Sequence, residues 1–399
     1  MIMREKKLFG LNKNITVAGL VSFFMDVSSE MIYPLVPLFL ANILGVNKSV
    51  IGLIEGIAES TASLLKVFSG WYSDRIGSRK WLMVAGYGIS ALSRPIVALA
   101  AVWQQVLAFR FVDRLGKGIR TAPRDAIIAE SADTSSLGKA FGFHRSMDTM
   151  GAVVGPALAF GLLAWFANDY RLVFWLSLIP AAIAVLLIIF FITETARRKP
   201  SSAAPPKLTL KHFDWRFKFF VAITTLFAIG NSSDVFLILR AENVGVPPAM
   251  IPLLYLVFTL VYSLSAMPAG IAADRFGRKR LILLGFVLFA AVYFGFAALA
   301  SSVSVWFLFG FYGLFMGMTE GVQKAFLATI IPEEFKATAF GIYNMCIGLA
   351  LLPASFIAGV LWDKISPSAP FFFGGCTALA SAVLFLLFST TVQKQRTGV

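Results

Sequence analysis

Charge is what this sequence is short of. Only 14% of its 399 residues are Asp, Glu, Lys or Arg, against about a quarter in a typical soluble domain. Histidine and cysteine number two each, and nothing has metal-ligand spacing. Cys346 and Cys376 fall in apolar stretches, where a thiol behaves as a small hydrophobe and says nothing about redox compartment. No G-x-x-x-x-G-K-[ST] loop appears, which argues against nucleotide hydrolysis. A nucleophile–base constellation and an added soluble domain are also lacking, which argues against an enzyme and a sensor. The N-terminal apolar stretch is interrupted by Asp26 and Glu30 and has no small-residue cleavage site. It therefore reads as a first spanning helix rather than a signal peptide.

What is present is apolar. Hydrophobic residues make up 58%, mean hydropathy is +0.79, and runs such as "FWLSLIPAAIAVLLIIFFI" (174–192) are frequent. Such a run can cross a hydrocarbon core of about 30 Å. The expected fold is an all-α polytopic membrane protein with twelve transmembrane helices. Hydropathy places them at 15–44, 49–72, 81–101, 104–130, 137–166, 172–194, 218–240, 249–272, 281–301, 304–331, 337–361 and 369–390. With the N-terminus inside, 22 lysines and arginines fall in inner segments and only Lys48, Arg171, Arg240 and Lys364 in outer loops. That bias predicts an integral cytoplasmic (inner) membrane protein with both termini cytoplasmic. It also accounts for the net charge of +14 without a nucleic-acid partner. The expected surroundings are membrane lipid, and the expected state is monomeric.

The halves repeat. "GWYSDRIGSRK" (70–80) recurs as "GIAADRFGRKR" (270–280), and "KAFGFHRSM" (139–147) matches "TAFGIYNMC" (338–346) at an offset of 199. "SSEMIYPL" near Ser28 is echoed by "SSDVFLIL" near Ser232. Repeated spacing in register predicts a duplicated six-helix unit. The expected division is 1–195, a Pro-, Ser- and basic-rich cytoplasmic linker at 196–217, and 218–399. At the same offset the charged "GIRTAPRDAIIA" (118–129) falls within "GMTEGVQKAFLATI" (317–330), part of an apolar span. The charged stretch is thus predicted to be a helix inside the bilayer.

Gly70, Asp74, Arg75, Gly77, Arg79 and Lys80 fit the pattern G-x-x-x-D-R-x-G-x-[RK]-[RK], and Gly270, Asp274, Arg275, Gly277, Lys279 and Arg280 fit it again. This loop, twice in a twelve-span chain, resembles that of the major facilitator superfamily over essentially the whole sequence. The resemblance implies a secondary transporter of two pseudo-symmetric six-helix bundles working by alternating access, with Asp74 latching one conformation. Physically, Gly70 lets helices approach closely, Gly77 permits a tight turn, and the cations hold the loop inside. "RFVDRLGKG" resembles the family's fourth-helix pattern at Arg110, Gly116 and Gly118, with Arg114 where a glycine is usual. "GAVVGPALAFG" (151–161) resembles the fifth-helix pattern associated with exporters, with Ala159 and Phe160 in place of its closing glycines.

Ionisable groups at membrane depth are functional candidates by default. Arg110, Asp113, Arg114, Lys117, Arg120 and Arg124 fall within an arc of roughly 80–120° on the fourth helix. Pro123 lacks a backbone donor, so a bend is expected near that helix's end. A cationic stripe suits carboxylate or phosphate. With Arg94, Tyr33, Asp234, Glu320 and Lys324 it forms the expected substrate site, for a small organic anion or amphipathic anionic compound. The competing reading is internal neutralisation of those cations by nearby carboxylates. A carboxylate partly desolvated beside another can hold a proton, so Asp26, Glu30, Glu55, Glu59, Asp113 and Asp148 are candidates for proton coupling. His144, one turn from Asp148, joins them as a pH-sensitive element. The alternative is that Asp26, Glu30, Glu55 and Glu59 simply pair with Arg94, Arg114 or Lys117, and that His144 is an ordinary structural histidine. No cofactor is expected beyond an ion gradient. A multidrug exporter of neutral or cationic lipophilic compounds, or a carrier of an anionic metal–chelate or siderophore, remains a rival.

Overall fold

The computed structural model describes residues 12–76, 78–132, 137–166, 168–194, 213–298, 301–331 and 336–397, and their side chains except at 66–76, 137–138, 336–338 and 390–397. All regular structure among these is helical. The first six spans are α1 (Lys13–Ile32, continued by Val36–Leu38 and Phe39–Ile43), α2 (Lys48–Ile76), α3 (Arg79–Leu92 and Arg94–Ala98), α4 (Trp103–Ser131), α5 (Leu137–Trp165) and α6 (Tyr170–Leu176 and Leu178–Phe191). The second six are α7 (Trp215–Gly230 and Val235–Asn243), α8 (Ile251–Phe276), α9 (Arg278–Ala298), α10 (Ser302–Thr329), α11 (Lys336–Lys364) and α12 (Ala369–Thr397). Each expected span coincides with one of them.

Ten are apolar enough over their length to cross a membrane. The other two, α2 and α4, do not pass on length and composition among the described residues. Three of the four interrupted helices break beside a proline, at Pro34, Pro95 and Pro180, where a ring removes a backbone donor. The break in α7, at Asn231–Asp234, has no proline. Conversely α4 runs unbroken through Pro123, so the residue expected to bend it does not end it.

The chain forms two compact units, residues 1–44 with 61–206 and residues 45–60 with 207–399. In unit 1, α1 packs on α5 and α6, and α3 on α4 and α6. In unit 2, α7 packs on α11 and α12, and α9 on α10 and α12. The same four pairings recur, as a duplicated unit requires. Helices already in lipid gain little from hydrophobicity and pack through small residues instead. Gly151 and Gly155 of α5 sit directly against α1, where a Cβ would strike Phe23 and Asp26 or Val27 and Glu30. In unit 2, Gly52 and Gly56 of α2 do the same against Ser355 and Leu352 of α11. That contact is fixed at both ends: Ser60 Oγ donates to the Gly348 carbonyl (2.6 Å), and Asp363 accepts the backbone N–H groups of Lys48 (3.2 Å) and Ser49 (2.8 Å).

Candidate functional site

The stripe on α4 does not present one uniform face. Arg94, Arg110, Asp113, Arg114 and Arg120 are buried, Arg124 is half-buried, and Lys117 is exposed. Asp113 meets Arg94 at 3.4 Å and Arg114 at 3.5 Å. Arg94 also donates to Ser29 Oγ (3.0 Å) and lies 5.7 Å from the Phe109 ring. Arg120 donates to Ser90 Oγ (2.7 Å) over the Tyr87 ring (4.5 Å). Arg110 lies over Tyr33, 5.4 Å from its centroid. Stacking on an aromatic face lets a guanidinium keep its charge with little water.

The carboxylates of α1 belong to the same unit. Asp26 lies close enough to Asp148, Lys117, Glu30 and Arg120 to interact with each electrostatically. The close α1–α5 approach at Gly151 and Gly155 brings Asp26 and Glu30 beside α5. His144 departs from its expected partner: its Nε2 lies 2.8 Å from Ser22 Oγ but 3.7 Å from Asp148, too far for a hydrogen bond. Arg124 pairs with its neighbour Asp125 (2.9 Å) and reaches Ser22 (3.4 Å).

Unit 2 is built differently. At the α7 break, Asp234 accepts a hydrogen bond from Tyr312 (2.7 Å), and Asn231 Oδ1 lies 3.4 Å from the Tyr293 hydroxyl and 3.5 Å from that of Tyr312. Glu55 is buried, and both Glu55 and Glu59 act electrostatically on Asp234. Glu320 accepts from Tyr262 and pairs with Lys324 at 3.1 Å, both side chains well exposed. Tyr293 and Tyr312 escaped the sequence reading, although the 199-residue offset aligns them with Arg94 and Asp113.

Of the loop residues, the surroundings of Gly70, the side chains of Asp74 and Arg75 and all of Gly77 lie outside the described residues. Beside them, Glu194 accepts the backbone N–H groups of Arg79 (2.8 Å) and Lys80 (3.3 Å), and Arg79 pairs with Glu130 at 2.5 Å. Lys80 Nζ donates to the Ile189 carbonyl (2.8 Å), as Lys279 Nζ does to Ser389 (3.3 Å). In the second copy Gly277 has φ +97°, the tight turn expected of its counterpart. At Gly270 a Cβ would meet nothing within 4 Å, so no close helix approach is made at that position. Asp274 is tied to Arg278 (2.8 Å), while Arg275 and Arg280 are exposed.

Twelve long helical spans in two like units, with ion pairs held inside unit 1, have the build of an integral membrane transporter. The chain belongs to the major facilitator superfamily, whose sequence model matches residues 18–239 and 219–398. It is 36% identical over 383 residues to an uncharacterised transporter of this type from Methanocaldococcus jannaschii, covering 94% of this chain and 95% of that one. It is also 25% identical to a multidrug-resistance efflux pump homologue of Lactococcus lactis (91% and 92% covered) and 26% identical to a protein of Cupriavidus pinatubonensis named for 4-methylmuconolactone transport (75% and 72% covered). Among solved structures it superimposes on a POT family transporter in complex with 5-aminolevulinic acid with TM-score 0.81, covering 97% and 98% at 14% identity. Likeness at that identity speaks to fold alone.

Proposed function

We propose that the protein moves a small organic anion across the cytoplasmic membrane by alternating access, driven by a proton gradient and without a bound cofactor. The observation that carries this reading is the charge balance of unit 1. Apart from the terminal turns, its α1, α3, α4 and α5 carry seven cations (Arg94, Arg110, Arg114, Lys117, Arg120, Arg124, Arg145) and five carboxylates (Asp26, Glu30, Asp113, Asp125, Asp148). Exposed Lys117 is the contact for the anion, and the buried arginines set the field around it. The carboxylates Asp26, Glu30 and Asp148, with Glu55 and Glu59 in unit 2, are the candidates for carrying the proton. In this reading the bundles 1–195 and 218–399 move about the linker, as a monomer with both termini cytoplasmic.

A second reading, export of lipophilic drugs, is favoured by the named efflux pump among the relatives. The purified protein in liposomes loaded with a pH-sensitive dye separates the two. Proton flux evoked by carboxylates, and weakened in Lys117→Ala, supports the anion carrier. Flux evoked by neutral drugs and indifferent to Lys117→Ala replaces it with the exporter.

A further inference from the structure

We propose that the seam between α1 and α5 carries the proton, with His144 passing it between Asp148 and water on the inner side; this rests on the proton-driven reading above and gives the proton a route apart from the anion's contact at Lys117. Ser22, Asp26 and Glu30 recur every fourth residue and so share one face of α1. That face meets α5 closely. A Cβ on Gly19 would strike Phe143 and crowd Met147, and Gly151 and Gly155 of α5 lie against Asp26 and Glu30. His144 and Asp148 are one turn apart on α5, and Asp148 acts electrostatically on Asp26. Protonatable groups thus follow one another along the seam, toward the ends of α1 and α5 that the reading above places in the cytoplasm. Chains of this kind are how protons cross protein interiors at membrane depth.

Two acceptors compete for one nitrogen. His144 is buried, with Nε2 2.8 Å from Ser22 Oγ. Asp148 Oδ1, 3.7 Å from the same nitrogen, is buried and hydrogen-bonded to nothing among the described residues. A buried oxygen left without a donor is costly, and a shift of about 1 Å brings this one within hydrogen-bond range of the ring. With its proton on Nδ1 the ring accepts the Ser22 hydroxyl at Nε2. With its proton on Nε2 it donates to the Asp148 carboxylate. In the relay, the O–H bond of a protonated Asp148 breaks as an N–H bond forms at Nε2, leaving a carboxylate and an imidazolium. The imidazolium then loses its Nδ1 proton to water, and later exchange with water resets the ring. The charged groups facing His144 are Asp148 and Arg145 on α5 and Arg124 and Asp125 on α4, while α1 offers the Ser22 hydroxyl.

The internal repeat shows that packing alone does not call for these groups. At the 199-residue offset Arg124 and His144 correspond to Gln323 and Tyr343, and Tyr343 donates directly to Gln323 Oε1 at 2.8 Å. Ile347 stands in the place of Asp148. Unit 2 closes this corner with neutral groups, and unit 1 fills it with groups that exchange protons.

One arm of the test needs no substrate. The only other histidine is His212, so His212→Gln leaves a single imidazole to follow by proton–nitrogen NMR in detergent. As the pH falls from about 9 to about 5, the ring proton should move from Nε2 to Nδ1. Asp148→Asn should abolish that switch. A tautomer fixed on Ser22 across the whole range would overturn the proposal. The second arm uses liposomes loaded with a pH-sensitive dye, with succinate and benzoate as probes and protein-free liposomes to measure leak. His144→Gln, which keeps an amide for Ser22, and Asp148→Asn should each cut probe-evoked proton flux about a hundredfold, while calorimetric binding of the probes stays unchanged. Full flux in either variant would overturn the proposal. So would joint loss of binding and flux in both, the mark of a structural role. An unaltered protein that moves no protons is a failure of the proton-driven reading instead, and the NMR arm still decides the relay.

Discussion

Arg94 and Asp113 meet at 3.4 Å with both side chains almost wholly enclosed, 1% and 5% exposed. Removing one partner strands the other charge, at a cost of about 3–5 kcal/mol. Asp113→Ala should therefore lower the thermal midpoint sharply in detergent. The double variant Arg94→Met/Asp113→Leu removes both charges and should recover part of the loss, because Arg114, 3.5 Å from Asp113, loses that contact in either case. A double variant no more stable than Asp113→Ala would show that the pair does not act as a unit.

Lys117 and Arg120 lie one turn apart on α4 yet should fail differently. Arg120 is buried against Ser90 and Tyr87, so Arg120→Ala should lower stability by about 1.5–3 kcal/mol, the range for a hydrogen bond to a charged group. Lys117 is exposed, so Lys117→Ala should leave the melting curve in place and, on the proposed anion reading, raise the KM for the substrate. Melting and initial-rate measurements on the two proteins check both halves.

Glu194 caps the start of α3 through two backbone N–H groups. Glu194→Ala should cost about 1 kcal/mol, the usual value of a helix N-cap. Denaturation of the variant beside the unaltered protein measures it directly.

Glycines should divide by what surrounds them. Gly155→Ala drives a methyl into Glu30 and Val27 and should destabilise by about 1–3 kcal/mol. Gly161→Ala, on the same helix, meets nothing within 4 Å and should be neutral or stabilising by up to about 1 kcal/mol. Thermal midpoints of the two single variants decide it.

The helices were legible because membrane spans announce themselves by length and hydropathy, and the repeat confirmed even α4, which fails on hydropathy. Partners were harder to foresee. His144 and Asp148 share a helix at the right spacing, but Ser22 of α1 comes closer. Arg94 looked like a candidate for substrate, while its ion pair with Asp113 depends on how α3 meets α4. The α7 break carries no proline and so no local signal. Its Asn231 draws meaning only from Tyr293 and Tyr312, 62 and 81 residues away.

Two helices here begin on carboxylates that arrive late in the chain. The first turn of α3 waits on Glu194, 115 residues downstream of Arg79, and that of α2 waits on Asp363, 315 residues beyond Lys48. At about 5–20 residues per second of synthesis, the cap for α2 emerges roughly 15–60 s after the turn it completes. A ribosome-bound chain stopped before residue 363 therefore holds α2 with its opening N–H groups unclaimed by this partner. The start of that helix records whether synthesis has passed residue 363.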